Sequence, residues 1–251
     1  MGHWQLTLLF LTGLAAGFVD TIAGGGGLIT LPVMLGCGFD PKLALGTNKF
    51  QATFGSGSAA WHFSRAGAVA WRDCARGFML TFVGAALGTL AVQQLDPSFL
   101  KRGLPILLVA VAVYSILKPD LGVRDLHPKM ESVRFDFIFG LGIGFYDGFF
   151  GPGTGTFWAM AFVLMLGFNL TRATAHTKVM NFGSNLASLL FFLLAKKVLF
   201  VPGLAMGGGQ LLGAWLGSHL VVKGGTKFIR PIFISVVLAI TGKVLYDAWL
   251  R

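Results

Sequence analysis

The sequence predicts an all-α integral membrane protein with about eight membrane segments. The first observation behind this prediction is composition: 55% of the residues are hydrophobic and 12% are charged, about half the charged share of an ordinary soluble domain. At roughly 20 residues per crossing, eight crossings take up about 160 of the 251 residues. The remainder is enough for loops and half-helices, so no soluble domain is expected.

The second observation is a glycine-interrupted motif that occurs once in each half of the chain. Residues Gly140 to Gly155 match residues Gly13 to Leu28 position for position. We therefore predict two homologous repeats, residues 1–117 and residues 135–251, joined by a polar linker at 118–134.

Each motif is expected to break a membrane helix. Glycine costs roughly 1 kcal/mol relative to alanine in a helix interior, so the four consecutive glycines from Gly24 to Gly27 disfavour a continuous helix. In the bilayer a break is tolerated only where protein or a water-filled cavity satisfies its backbone N–H and C=O groups. Each repeat is therefore predicted to contain one discontinuous or re-entrant helix inside the protein, with the first one resuming near Leu28.

Apolar runs and the turn signals between them give the other segments. Asp40 is followed by Pro41, which predicts a turn, and Pro105 predicts a kink. The spacing of Gly84 and Gly88 is typical of closely packed membrane helices. The first repeat is predicted to contain segments at about Trp4–Ala23, Leu28–Gly36, Lys42–Phe63, Asp73–Gln94 and Ser98–Leu117. The second is predicted to contain segments at about Phe135–Phe150, Thr154–Leu166, Thr171–Ala195, Pro202–Val222 and Thr226–Leu250.

The distribution of basic residues favours inverted repeats. If each broken segment counts as one crossing, lysines and arginines divide almost evenly between the two sides, and the positive-inside rule assigns no orientation. If each broken segment is instead a hairpin, each repeat crosses an odd number of times. The two repeats are then inverted, and each side receives one copy of each basic loop, which agrees with the even spread.

The helix after each break carries one lysine on a polar stripe. Lys49 shares a face with Ser56, and Lys178, at an offset of 129 from it (178 − 49), shares one with Asn181 and Asn185. Lys49 is expected about 10 Å inside its helix, and a charge at that depth marks a functional site by default. The alternative is a lysine whose stem extends to the lipid headgroups.

Together, the breaks and the lysines predict a binding site for a small anion with several oxygens. Two glycine-interrupted segments at matching places in two halves are typical of secondary transporters. The N-terminus of a resuming helix offers free N–H groups and a partial positive charge, which suit an anion. The predicted binding residues are Gly25, Gly26, Gly27, Thr47, Asn48, Lys49, Gln51, Gly153, Thr154, Gly155, Thr177, Lys178, Asn181 and Asn185.

Three ionisable side chains adjoin this predicted site. Asp20 and Asp147 precede the breaks, where each would either pack at a helix end or pair with a lysine or carry a proton. His176 precedes Thr177 and is a candidate to line the cavity.

Other classes of function lack support in the sequence. No nucleotide-binding or metalloprotease motif occurs in a suitable context, no nucleophile–base pair stands out, and neither cysteine has a Cys or His at metal-ligand spacing. We therefore expect no enzyme activity, no metal and no cofactor. The net charge of +10 lies in short loops, where it suits anionic lipid headgroups or an anionic substrate rather than nucleic acid. The sequence leaves open whether the protein forms a homo-oligomer.

The paired motifs resemble the TauE/SafE sulfite exporter family, also called the 4-toluene sulfonate uptake permease family, and in particular its YfcA-like branch. The resemblance is carried by Phe18 to Pro32, Leu45 to Ser56, Gly144 to Gly155 and Thr177 to Asn185, and it extends over essentially the whole chain. It implies a multi-pass permease of the bacterial inner membrane for sulfur-containing anions such as sulfite, thiosulfate or organosulfonates.

The expected function is therefore secondary transport of a small sulfur oxyanion, as export by alternating access. A membrane potential that is negative inside favours the exit of an anion by about 2.3 kcal/mol per charge per 100 mV. The alternatives are an anion channel and a membrane scaffold protein without transport activity.

Overall fold

The structure is a computed structural model that describes residues 2–95 and 125–249, with the backbone alone for residue 3 and for residues 226–249. Its regular secondary structure, within those residues, is entirely helical. The helices are α1 (His3–Ala23), α2 (Gly26–Gly36), α3 (Pro41–Arg65), α4 (Trp71–Gln94), α5 (Ser132–Phe135), a π-helical turn (Asp136–Gly140), α6 (Leu141–Phe149), α7 (Thr154–Leu166), α8 (Leu170–Leu194) and α9 (Phe200–Trp249).

The predicted segments and the observed helices agree, with two differences. Helix α2 begins at Gly26 rather than near Leu28. The segment predicted as one helix over Phe135–Phe150 is divided into α5, the π-helical turn and α6. The last two predicted segments, Pro202–Val222 and Thr226–Leu250, are confirmed as separate helices within the span labelled α9, because the backbone is non-helical at Gly225 between them, with a φ of 59° and a ψ of −165°. The predicted helix Ser98–Leu117, the kink at Pro105 and residues 118–124 of the linker lie outside the described residues.

Length and composition fit a membrane protein. Within the described residues, three helical stretches are long and apolar enough to cross a membrane: Trp4–Ala23, Trp71–Gln94 and Leu170–Leu194. The helices that follow the two breaks, α2 and α7, are apolar but shorter. On α4, large apolar side chains point outward at helical spacing, as expected of a face toward lipid: Met79, Val83, Leu87 and Leu90.

Glycines bring the broken helices against their neighbours. Helix α1 packs on α9 in the same direction, since Gly13 lies against Met206 and Gly17 against Gln210. Helices α6 and α4 pack in the same way, with Gly144 against the backbone of Thr81. A Cβ atom at any of these glycines would overlap the facing backbone, so the close approach requires glycine.

Helices α3 and α8 cross at the centre in opposite directions. Gly46, near the start of α3, lies against Lys197, just after the end of α8, and Gly57 lies against Phe182, further back along α8. Between these contacts, Asn185 Nδ2 donates a hydrogen bond of 3.4 Å to Ser56 Oγ.

The polar parts of α3 and α8 lie between two apolar clusters. One cluster includes Phe63 of α3 and Val179 of α8, and the other includes Leu45 of α3 and Phe192 of α8. Between these positions, both helices place buried polar side chains toward the interior. The fold therefore surrounds a polar centre with apolar packing on both sides.

Candidate functional site

The two helix breaks face each other at the centre of the molecule. Gly24 follows α1 with a φ of 76°, and Gly153 precedes α7 with a φ of 77°, a left-handed conformation that favours glycine. A Cβ atom on Gly155 would lie 2.5 Å from Gly24 Cα. Thr156 Oγ1 donates a hydrogen bond of 2.9 Å to the carbonyl oxygen of Ala23. Glycine is therefore needed both for the turn and for the contact between the breaks.

Two buried ion pairs cross between the halves of the chain. Lys49 Nζ lies 2.5 Å from Asp147 Oδ1 and also donates to the Asp147 carbonyl oxygen. Lys178 Nζ lies 2.8 Å from Asp20 Oδ2 and donates to the Asp20 carbonyl oxygen. Each lysine thus neutralises the carboxylate of one aspartate. It also offsets the partial negative charge at the C-terminal end of a helix, here the last turn of the broken helix in the other half of the chain.

The two ion pairs differ in their surroundings. The Lys49 and Asp147 side chains are 2% and 5% exposed, whereas those of Lys178 and Asp20 are 1% and 24% exposed. Ser184 Oγ donates to Asp147 Oδ2. In the second ion pair, the Gly26 N–H donates a hydrogen bond of 3.0 Å to Asp20 Oδ1. The carboxylate of Asp147 is therefore shielded from solvent, and that of Asp20 is partly exposed.

A narrow cavity of about 30 Å³ separates the breaks. It is lined by Asp20, Gly24, Gly26, Gly27, Asn48, Lys49, Ala52, Asp147, Gly151, Gly153, Thr154, Gly155, Asn181, Asn185 and Gln210. A cavity needs roughly 10–15 Å³ to hold a water molecule, so water fits in this one.

Most of the predicted site residues come together here. The cavity is lined by nine predicted binding residues and both aspartates: Gly26, Gly27, Asn48, Lys49, Gly153, Thr154, Gly155, Asn181, Asn185, Asp20 and Asp147. Lys178 does not line the cavity but contacts it through Asp20.

Asn48 is held so that its amide nitrogen faces the cavity. Its Oδ1 accepts hydrogen bonds from Thr30 Oγ1 at 2.6 Å and from Gln51 Nε2 at 2.8 Å. Asn48 Nδ2 lies on the side of Gly27. An amide group oriented in this way offers donors to an anion.

Besides Lys178, five of the predicted residues lie outside the cavity: Gly25, Thr47, Gln51, Thr177 and His176. Thr47 Oγ1 instead accepts the Leu199 N–H at 3.0 Å. The His176 ring packs against Phe162 and bonds the Arg172 carbonyl oxygen at 2.9 Å. The left-handed residue of the first break is Gly24, and the helix already resumes at Gly26 rather than near Leu28.

Sequence reasoning missed four lining residues, and Gln210 is the most informative. The others are Gly24, Ala52 and Gly151. Gln210 is 2% exposed, and its Oε1 lies where a Cβ atom on Gly55 would come within 2.3 Å of it. The available signal was that Gln210 carries the only amide side chain in the apolar run from residue 200 to residue 217.

The described residues contain no group of three or more His, Cys, Asp or Glu side chains that could hold a metal ion. The polar groups at the centre are ammonium, amide and hydroxyl donors, which suit an anion, beside two carboxylates, which balance the charges of the ammonium groups.

Comparison with known proteins identifies relatives over the full length of the chain. It is 45% identical over 243 residues to "Probable membrane transporter protein YfcA" of Escherichia coli K12, which covers 97% of this chain and 90% of that protein. It is 46% identical over 242 residues to a "Probable membrane transporter protein" of Haemophilus influenzae, covering 96% and 95%. "Probable membrane transporter protein YunE" of Bacillus subtilis is 22% identical over 270 residues, covering 97% and 98%.

No solved structure matches the chain. The relatives are named as membrane transporters and not as enzymes. Residues 9–244 match the sequence profile of the family described as "Sulfite exporter TauE/SafE". The chain therefore belongs to the TauE/SafE sulfite exporter family.

Proposed function

We propose that this protein is a secondary transporter that moves a small sulfur-containing oxyanion, such as sulfite or an organosulfonate, across the bacterial inner membrane. The observation that carries the proposal is the pair of buried lysines at the helix breaks, Lys49 and Lys178. A lysine at the centre of a membrane helix costs about 2.5–3.5 kcal/mol on insertion scales, and such residues mark ion or substrate pathways.

The donor groups around the cavity support an oxyanion as the substrate. Gly27 and Gly155 are the second residues of α2 and α7, so helix geometry gives their N–H groups no acceptor within the same helix. The amide of Asn48 and the ammonium group of Lys49 converge on the same space. Ammonium and N–H donors from several directions match the oxygens of a sulfite or sulfonate group.

Alternating access is supported by the way the two halves pack. We propose inverted repeats, residues 1–117 and 135–251 with the linker 118–134, and about eight membrane segments. Helices α3 and α8 run in opposite directions, and Ser56 contacts Asn185, its equivalent at an offset of 129 (185 − 56). Equivalent residues that touch between antiparallel helices are expected on a two-fold axis parallel to the membrane, as in inverted-repeat transporters.

The proposed direction is export. For an anion that moves alone, the membrane potential contributes about 2.3 kcal/mol per charge per 100 mV toward exit. The breaks, α2 and α7 would move relative to α3 and α8 to open the cavity to one side and then to the other.

The test is flux of labelled sulfite, thiosulfate and methanesulfonate in proteoliposomes that contain the purified protein. We expect saturable uptake of at least one of them, accelerated by the same unlabelled anion on the opposite side. Empty liposomes and sodium chloride as competitor are the controls. Uptake of all three anions at the rate of empty liposomes would refute the proposal, and unsaturable flux without exchange would indicate a channel.

A further inference from the structure

The charges around the cavity balance before any substrate is bound. Two lysines, Lys49 and Lys178, face two aspartates, Asp20 and Asp147, and no other ionisable side chain lines the cavity within the described residues. Around Asp20, α8 contributes Lys178, α3 contributes Lys49 and α6 contributes Asp147. The described parts of α2, α7 and α9 contribute no charged side chain to this cavity. The net charge of the centre is therefore zero.

An anion that enters this neutral centre adds a charge that no group offsets. An uncompensated buried charge costs several kcal/mol, and a carboxylate near another negative charge is driven toward its protonated form. Each lysine already donates to the carboxylate and to the carbonyl oxygen of its aspartate. Protonation of one aspartate restores neutrality and frees one lysine to bind the anion.

Asp20 is the aspartate that the geometry favours for this role. Both aspartates line the cavity, but the Asp20 side chain is 24% exposed, whereas that of Asp147 is 5% exposed and also accepts a hydrogen bond from Ser184. Asp20 further accepts the N–H of Gly26, at the start of α2. If Asp20 gives up its charge, both Lys178 and this N–H become available to the anion.

We infer that the anion is transported together with a proton, which Asp20 carries. The inference rests on the function proposed above. The proton comes from the solution on the side of entry and adds to the carboxylate of Asp20, while Lys178 stays an ammonium group and transfers its hydrogen bond to the anion. Release on the other side returns the proton and restores the ion pair. A monoanion then crosses without net charge, so the membrane potential no longer favours its exit. Under this inference the direction depends on the pH gradient and on the anion's own concentration gradient, and export requires a higher anion concentration inside.

The test uses proteoliposomes with equal potassium on both sides, valinomycin to clamp the voltage, and a pH-sensitive dye inside. The probes are labelled methanesulfonate and thiosulfate, which stay fully ionised near neutral pH, so any proton that enters with them is carried by the protein. An inward anion gradient is expected to acidify the interior, by about one proton per methanesulfonate, the number that keeps the buried site neutral.

Asp20→Asn provides the second measurement, because asparagine resembles the protonated aspartate. This variant is expected to keep exchange of methanesulfonate and to lose both acidification and accumulation driven by a pH gradient. The matched control is Asp40→Asn, which makes the same change at the exposed N-cap residue just before α3, where asparagine caps a helix as well as aspartate does. The control is expected to keep normal coupling.

Anion entry into wild-type vesicles without acidification would overturn this inference and leave the transport function standing. Normal proton coupling in Asp20→Asn would also overturn it. Absence of flux for every anion would instead refute the transport function, and the inference would fall with it. If Asp20→Asn does not reach the membrane, the wild-type proton measurement decides alone.

Discussion

Replacing Lys49 with methionine keeps the length of the side chain and removes its charge, and two separate effects are expected. Asp147 would lose its cation while its side chain is only 5% exposed, with the hydroxyl of Ser184 as its remaining side-chain partner. Breaking a buried ion pair by removing one partner costs about 3–5 kcal/mol of folding free energy. The same change at Lys178 is expected to cost less, because Asp20 is 24% exposed and can be solvated from the cavity.

The second effect is on the anion. Loss of a charge-assisted hydrogen bond to the substrate is expected to cost about 1.5–3 kcal/mol, which weakens apparent affinity by about 10- to 150-fold. Folding and binding are separated by a double variant, Lys49→Met with Asp147→Asn, which removes both charges. Membrane abundance and thermal stability should recover in the double variant, while the affinity for the anion stays low.

The assays are melting of the detergent-solubilised protein and saturable flux in proteoliposomes at equal protein content. Lys178→Met with Asp20→Asn is the matched pair on the other side of the cavity. Unchanged affinity and maximal flux in both single methionine variants would refute the reasoning. A lysine that only extends toward the headgroups would give that result.

Three further predictions follow from particular contacts. Gly24→Ala should abolish transport, because Gly24 has a φ of 76° and its Cα lies against Gly155. Gly38→Ala is the control, since Gly38 has a similar φ of 83° but open space around it. This control should keep its flux and lose only about 1–2 kcal/mol of folding free energy in thermal melting. Gln210→Leu should weaken anion affinity by about 2- to 12-fold at normal abundance, the effect of one neutral hydrogen bond of about 0.5–1.5 kcal/mol; unaltered affinity would exclude a contact with the substrate. Single cysteines at Ala68 and Lys197, in a background without Cys37 and Cys74, should be labelled from opposite sides of the membrane, and labelling from the same side would contradict the inverted repeats.

The helix bounds could be predicted because their signals are local. The start of α3 follows Asp40, whose carboxylate accepts the N–H groups of Lys42 and Leu43, and α8 starts after Asn169 in the same manner. The breaks follow from the backbone preferences of glycine. The exact position of the first break could not be predicted, because any residue in a run of four glycines can take the left-handed conformation. The contact with Gly155 selects Gly24.

The pairing of charges could be predicted only in part. The sequence places Asp20 and Lys49 in the first half and Asp147 and Lys178 in the second, and pairing with a lysine is one of the roles it allows for each aspartate. The partner of each lysine depends on how the halves pack, and both pairs cross between them. Gln210 was missed for the same reason, since it reaches the cavity only because Gly17 and Gly55 leave room for its side chain.

The difference between the two ion pairs follows from one exchange of residues between otherwise equivalent positions. Ser184 falls on Gly55 at an offset of 129 (184 − 55), so Asp147 has a hydroxyl partner that the first half does not supply to Asp20. The space at Gly55 is filled by Gln210 instead, which lies in the cavity beside Asp20. The carboxylate of Asp147 is shielded from solvent and that of Asp20 is partly exposed. A proton and an anion therefore reach the centre at Asp20. Under the proposed mechanism, these residues make the Lys178–Asp20 pair the one that opens first.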